Sequence, residues 1–297
     1  MSQYAAGIVL YNPKKNRLKE NLDAICNQVE YVYCYNNGLQ NACEIIPLLN
    51  SYRNLRLVGT GTNVGIATAL NELVKEAAKD GNDWILTLDQ DSVACAHMVA
   101  AFSELTNEKN VAIICPVIED IRRKNEIPAV AENTIDDVDF CITSGSFMNI
   151  QKTLEIGGFD EWLFIGLVDN EICHRIKLSG YRIVRNNAVI LNHELGNLTP
   201  SKYENLYLEL GTILHSNTIK KMSYKRYVNP MRLYYATRNM IYLEDKYRGQ
   251  EVNAWSSKTL MKNAVSSILR GKDKIKIIKA LYQGIIDGRT YIRRKEK

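Results

Sequence analysis

No stretch of this sequence of 297 residues approaches the ~18 consecutive apolar residues that a membrane-spanning helix requires. Met1-Ser2-Gln3-Tyr4 runs directly into a strand-like segment, so no signal peptide is expected. The seven cysteines are odd in number and contain no Cys-x-x-Cys pair, which excludes a disulfide framework and points to a cytosolic chain. Cys34, Cys115 and Cys141 lie in apolar segments, where a reduced thiol behaves as a small hydrophobe. Acidic residues are scarce at one end. Residues 246–297 carry fourteen Lys/Arg against four Asp/Glu, although the whole chain has a net charge of only +5. Such asymmetry predicts a polyanionic partner for the C-terminal end.

What is present begins with an apolar run, Trp84-Ile85-Leu86-Thr87-Leu88, that stops in Asp89-Gln90-Asp91-Ser92. A buried parallel strand reads as such a run, and open α/β sheets place ligands at the carboxyl ends of their strands. Asp89 and Asp91 then emerge at the rim of a sheet, too close to share a dry site without a counter-charge. A hard divalent cation supplies it, since Mg2+ takes one or two carboxylates and completes its shell with water and substrate phosphates. The plainer alternative is a strand followed by a polar turn.

Around this stretch the chain alternates. Strands are predicted over 4–11, 31–35, 55–58 and 111–115, with helices between them, one of which carries Leu18, Leu22, Ile25 and Val29 at helical spacing. The rhythm implies right-handed βαβ units, a parallel sheet and the α/β class. After Pro116 it breaks. Residues 119–139 read as a loop or irregular hairpin, and 140–150 as a strand interrupted at Ser144-Gly145-Ser146. Residues 182–184 and 188–191 read as a closing pair of strands. From Tyr203 onward the pattern is helical. Ile275, Ile278, Leu281, Ile285 and Ile286 share one face among lysines, as in a helix that lies on a membrane surface or packs on a partner.

Three further constellations could carry chemistry. Gly59, Gly61 and Gly65 follow a strand and precede a helix, yet their spacing departs from the dinucleotide fingerprint and they follow the third strand instead of the first. A loop whose N–H groups approach a phosphate or ribose remains open. Asp169 and Glu171 begin a helix, either as dipole complements or with Asp169 as a general base aimed at a hydroxyl. Arg175 is placed to pair with Glu171 at i,i+4. His193 follows an apolar strand, where it is either a structural hydrogen-bonder or a ligand within reach of the carboxylates.

In order, Tyr11-Asn12, Asn36-Asn37-Gly38, Asn63-x-Gly65-x-Ala67-x-Ala69-x-Asn71 and Asp89-Gln90-Asp91 are followed by Ser144-Gly145-Ser146, Gly158-Phe159-Asp160-Glu161, Asp169-x-Glu171-x-x-x-Arg175 and His193. Over roughly residues 4–245 this set resembles glycosyltransferase family 2 of the GT-A fold, and most its bacterial rhamnosyltransferase branch. The resemblance implies a Rossmann-like, mostly parallel sheet with flanking helices in a catalytic domain of residues 1–200, and a basic helical region at 201–297. It implies a nucleotide-sugar donor lined by Tyr11, Asn36, Asn37, Asn63, Gly65 and Gln90, with Asp89 on ribose or metal. Asp91 and His193 complete a Mg2+ or Mn2+ site, and Asp169 is the base of an inverting transfer. Ser144, Gly145, Glu171 and Arg175 support the acceptor side. Tyr35 stands where many relatives carry a base-contacting aspartate.

The donor implied is dTDP-L-rhamnose, and the acceptor a bacterial surface polysaccharide growing on a polyprenyl diphosphate at the cytoplasmic face of the inner membrane. Arg238 is the candidate for the lipid diphosphate, and no nucleic-acid partner is expected. Three alternatives remain: the same chemistry with a UDP-hexose or UDP-galactofuranose, a sugar-phosphate nucleotidyltransferase, and a non-catalytic scaffold. The second lacks the Gly-rich, basic N-terminal loop that a triphosphate needs.

Overall fold

Apolar runs too short for helices become the strands of one sheet. In a computed structural model, which describes residues 3–119, 134–192, 198–220, 223–226, 228–250, 255–271 and 273–295, β1 (Tyr4–Leu10) lies parallel between β2 (Tyr31–Asn36) and β4 (Trp84–Asp89), with β3 (Leu55–Val58) parallel beyond β2. The sheet continues through β5 (Val111–Glu119), β6 (Ile135–Asp137), β7 (Ser146–Asn149) and β8 (Arg182–Asn192), in the order β3-β2-β1-β4-β7-β5-β8-β6. It is not parallel throughout. β7 runs antiparallel to both β4 and β5, and β6 antiparallel to β8. The expected closing pair of strands is a single strand, β8. Its register against β5 jumps from Pro116↔Asn186 to Val117↔Ile190, so residues 187–189 bulge out of the ladder. Polar Asn187 sits in that bulge because its amide donates to Thr134 Oγ1 (2.7 Å) and Asp136 Oδ2 (2.8 Å).

Helices α1 (Lys15–Ile25), α2 (Ala42–Leu49), α3 (Ile66–Lys79), α4 (Met98–Ser103), α5 (Ile150–Glu155) and α6 (Val168–Leu178) belong with this sheet. α1 buries Leu18, Leu22 and Ile25, as their spacing requires. Phe147 on β7 anchors the core: Trp84 stacks on it at 5.2 Å, Phe102 at 6.0 Å, and Tyr4 meets it edge-on at 5.4 Å. All seven cysteines are free thiols.

The chain forms two compact units, Met1–Phe164 with Val168–Glu194, and Ile165–Leu167 with Leu195–Lys297. The division therefore falls a few residues before the expected 200/201. Ile165–Leu167 join the second unit because Asn239 Nδ2 donates to the carbonyls of Ile165 (3.0 Å) and Gly166 (2.8 Å). That unit holds α7 (Glu204–Ile213), α8 (Asn217–Lys220), α9 (Pro230–Lys246), α10 (Ser257–Arg270) and α11 (Lys274–Lys295), with a small antiparallel pair, β9 (Leu198–Pro200) and β10 (Tyr224–Arg226). Asn229 caps α9 by accepting from Met231 N–H at 2.9 Å, with Pro230 beginning the helix. α11 lies directly on α9: a Cβ at Gly284 would stand 2.7 Å from Tyr234 O, and one at Gly288 3.0 Å from Arg238 O. The single apolar face expected of α11 is split, with Ile277 and Leu281 buried while Ile275, Ile278 and Ile286 are exposed. Among the described residues no helix is long and apolar enough to cross a membrane.

Candidate active site

Loops at the carboxyl ends of β1, β2 and β4 converge. The Gln90 amide clamps the main chain of Tyr11, accepting from its N–H (2.8 Å) and donating to its carbonyl (3.1 Å). Gln90 thereby positions the main chain of Tyr11. Asn36 accepts from the N–H groups of Gly38 (3.3 Å) and Leu39 (3.1 Å), buried Asn37 from Val64 N–H (2.8 Å), and Asn63 from Gly65 N–H (3.1 Å). These carboxamide oxygens order the loops, while their Nδ2 groups make no hydrogen bond among the described residues. A Cβ on Gly38 would lie 3.5 Å from Asn63 Cβ and 3.7 Å from the Tyr11 ring. Tyr11, Asn36, Asn37 and Asn63 thus share one neighbourhood.

Gly65, at φ +86°, makes room for Phe164: its Cβ would stand 2.6 Å from the Phe164 ring, and Ile66 N–H donates to Phe164 O at 2.6 Å. The backbone donor at the head of α3 is thereby taken. Tyr35 is a buried core residue whose ring passes under Gly59, and burial raises its phenol.

At the end of β4, Asp89 is held from three sides. Its carbonyl accepts from Asn21 Nδ2 (2.8 Å) and Ser92 N–H (3.1 Å), and its N–H donates to Ser144 Oγ (3.1 Å), which also meets Ser92 Oγ at 2.7 Å. Arg17 Nε donates to the carbonyl of exposed Asp91 at 2.6 Å. Ser144 and Gly145 therefore act as supports. Gly145, at φ +86°, donates its N–H to Thr87 O (2.7 Å), and a Cβ would stand 2.8 Å from Leu191 Cδ2 and 2.9 Å from Pro116 Cγ. Gly145→Ala is expected to cost about 1–3 kcal/mol through overpacking. Chemical denaturation measures it, and an unchanged midpoint would refute the crowding.

Asp169 opens α6, half-buried beside Cys141, Thr143, Ser146 and Cys173. Burial raises its carboxyl above its ordinary value, and the negative charge of Asp89 adds to the rise. Asp169 and Asp89 consequently sense one another. Two residues on, Glu171 is fully buried and forms a bidentate pair with Arg175, both contacts at 2.7 Å. The same guanidinium donates to the carbonyls of Ile156 (2.6 Å) and Gly158 (2.5 Å). Asn71 on α3 grips the adjoining turn, accepting from Phe159 N–H (2.7 Å) and donating to Phe159 O (2.9 Å) and Glu161 Oε1 (2.9 Å). The turn over 156–161 is thus held from two helices, α3 and α6.

His193 lies outside the described residues. Among those described, no group of three or more His, Cys, Asp or Glu is arranged to hold a metal. The donors that remain, Asp89 and Asp91, still fit a hard cation: they are hard oxygen ligands at one strand end, and the Asp91 carboxylate has no protein partner among the described residues. Arg238 belongs to the second unit. Its Nε and Nη2 donate to Asn239 Oδ1 (3.1 and 2.9 Å), and its guanidinium lies 4.8 Å from the Tyr235 ring centroid. Asn21, Asn71 and Phe164 were not singled out as site residues by pattern. Asn21 had a signal, an amide interrupting the apolar stripe of Leu18, Leu22 and Ile25, whereas Phe164 had none.

Comparison with known proteins agrees with this geometry. The model of the family described as "Glycosyl transferase family 2" matches residues 6–169. The dTDP-rhamnosyl transferase RfbF of Shigella flexneri is 26% identical over 190 residues, which cover 59% of this chain and 63% of that protein; the match therefore spans less than two thirds of the relative. Among solved structures, mannosyltransferase PcManGT from Pyrobaculum calidifontis, in complex with GDP-Man and Mn2+, aligns over 97% of this chain and 86% of its own, at 15% identity and a TM-score of 0.53. S. aureus TarS 1-349 in complex with UDP-GlcNAc aligns over 95% and 80%, at 13% identity and a TM-score of 0.55. At such identities these structures speak for a shared fold, the GT-A arrangement of a mixed sheet with flanking helices. With the family match running from β1 to Asp169 itself, across more than half of the chain, this protein belongs to glycosyl transferase family 2.

Proposed function

We propose that the chain is an inverting glycosyltransferase that moves L-rhamnose from dTDP-L-rhamnose onto a hydroxyl of a lipid-linked bacterial surface polysaccharide. The observation that carries the chemistry is the place of Asp169, half-buried at the head of α6 and in electrostatic reach of Asp89 at the sheet edge, which raises its carboxyl. Its elevated proton affinity suits it to take the acceptor proton as the hydroxyl attacks the anomeric carbon. Tyr11, Asn36, Asn37 and Asn63 hold the nucleoside, the last three through their unused Nδ2 groups. Asp89 and Asp91, with His193, hold a divalent cation, which when bound supplies Lewis-acid stabilisation of the departing diphosphate. Buried Glu171–Arg175 and Asn71 keep the base in register with the sheet edge. The choice of rhamnose rests on the likeness to a dTDP-rhamnosyl transferase. Attachment to the inner membrane surface from the cytoplasmic side rests on the basic C-terminal helices.

Thermal shift against dTDP, UDP and GDP, each with Mn2+ or EDTA, tests the donor. Ligand that binds only the native state stabilises it by about 2.7 kcal/mol at a hundredfold excess over Kd. The largest shift is expected for dTDP with Mn2+, lost in EDTA. A larger response to UDP would move the donor to a UDP-sugar, and silence to all three would end the transferase reading.

A further inference from the structure

We propose that the groove between α9 and α11 binds the phosphate-bearing headgroup of an anionic membrane lipid; this specifies, and rests on, the membrane attachment proposed above. The groove has a volume of about 500 Å³ and is lined by Pro230, Tyr234, Lys276, Lys279, Tyr282 and Gln283. Its floor is firm because Gly284 and Gly288 bring α11 against the α9 backbone.

The charges in it favour an anion. Lys279 has no hydrogen-bond or ion-pair partner among the described residues. Among the described residues Lys276 pairs only with Asp273, at 3.1 Å, an exposed contact of the kind worth little, so exchanging it for a phosphate costs little. Asp287, the acidic group that meets the lining residues, has both oxygens engaged, by Tyr234 OH (2.7 Å) and Gln283 Nε2 (2.9 Å).

The surroundings favour a lipid over a soluble anion. Ile275, Ile278 and Tyr282 on α11 are 70%, 52% and 65% exposed beside these lysines. On α10, Met261, Val265 and Leu269 form a second exposed row, one helical turn apart. Lysines bordering an apolar row that contains a tyrosine make an interfacial helix, whose cations meet headgroups while its apolar side chains enter the acyl boundary. Arg238, engaged with Asn239 and Tyr235, is not needed for this role.

The test is co-sedimentation of the full chain with vesicles of phosphatidylcholine alone, and of phosphatidylcholine mixed with phosphatidylglycerol. Wild type is expected on the mixed vesicles only. Lys276→Gln/Lys279→Gln should bind them about 25-fold more weakly, at roughly fivefold for each lysine near an anionic surface, and Lys276→Arg/Lys279→Arg should restore binding. Both positions are solvent-facing, and the nucleotide thermal shift of the glutamine variant should equal that of wild type, so donor binding and lipid binding are read separately. Undiminished binding by the glutamine variant would overturn the groove while leaving attachment in place, and no binding by wild type would remove both. Inorganic phosphate that protects wild type from heat, but not the glutamine variant, would overturn the lipid in favour of a free phosphate.

Discussion

Asp169→Asn is expected to lower sugar transfer by about 10²–10⁴-fold, the usual contribution of a general base, while leaving nucleotide binding intact. The substitution keeps the oxygen that accepts from Asn170 N–H at 3.0 Å, so the helix start is preserved. The pKa direction supplies an independent check. Because burial and Asp89 raise the folded-state pKa, the ionised carboxylate is less favourable in the fold than in the unfolded chain. Stability associated with the protonated form is complete below the unfolded value and is lost as pH rises through the raised one. At neutral pH the charge of Asp169 is therefore a cost, and the asparagine variant should melt no lower than wild type. The rate should move the opposite way with pH. A protonated carboxyl cannot accept the acceptor's proton, so activity falls as pH drops through the raised pKa, with its acid limb displaced upward from that of an unperturbed aspartate. A variant that transfers sugar at the wild-type rate would remove Asp169 from the mechanism.

Arg175→Ala has the largest expected effect on stability. Glu171 is fully buried and both its oxygens face that guanidinium. Removing one member of such a pair costs about 3–5 kcal/mol. The carbonyls of Ile156 and Gly158 lose their donor in the same step. Urea denaturation should show the loss as a lower midpoint with an unchanged slope. The double change Glu171→Gln/Arg175→Met, which removes both charges, should recover much of it. If Arg175→Ala unfolds at the wild-type urea concentration, the pair is not what holds the head of α6.

Most of the first four strands could be read from sequence because each is a short apolar run stopped by polar or glycine-rich turns, and local pattern decides such elements. Asp89 and Asp91 were visible for the same reason, as carboxylates at the end of the strongest run. β7 was harder to read: a strand's direction depends on which neighbours it joins, and nothing within Ser146–Asn149 encodes that it enters between β4 and β5. The bulge in β8 looked like a break because Asn186-Asn187 interrupts the apolar pattern. Its partners, Thr134 and Asp136, lie some fifty residues away in the chain.

The sequence by itself determined the acidic strand end and the basic C-terminal tract, which are properties of contiguous residues, and the α/β class and the family, which rest on the order of short motifs along the chain. Only the tertiary structure decided what Gly65 and Gln90 do: one admits Phe164, the other holds the main chain of Tyr11. It also decided that Asp169 senses Asp89, and that α11 turns Ile277 inward and Ile275 outward. The physical reason is common to these cases. Close approach, burial and charge coupling depend on distances between residues far apart in the chain, which spacing along the chain does not carry.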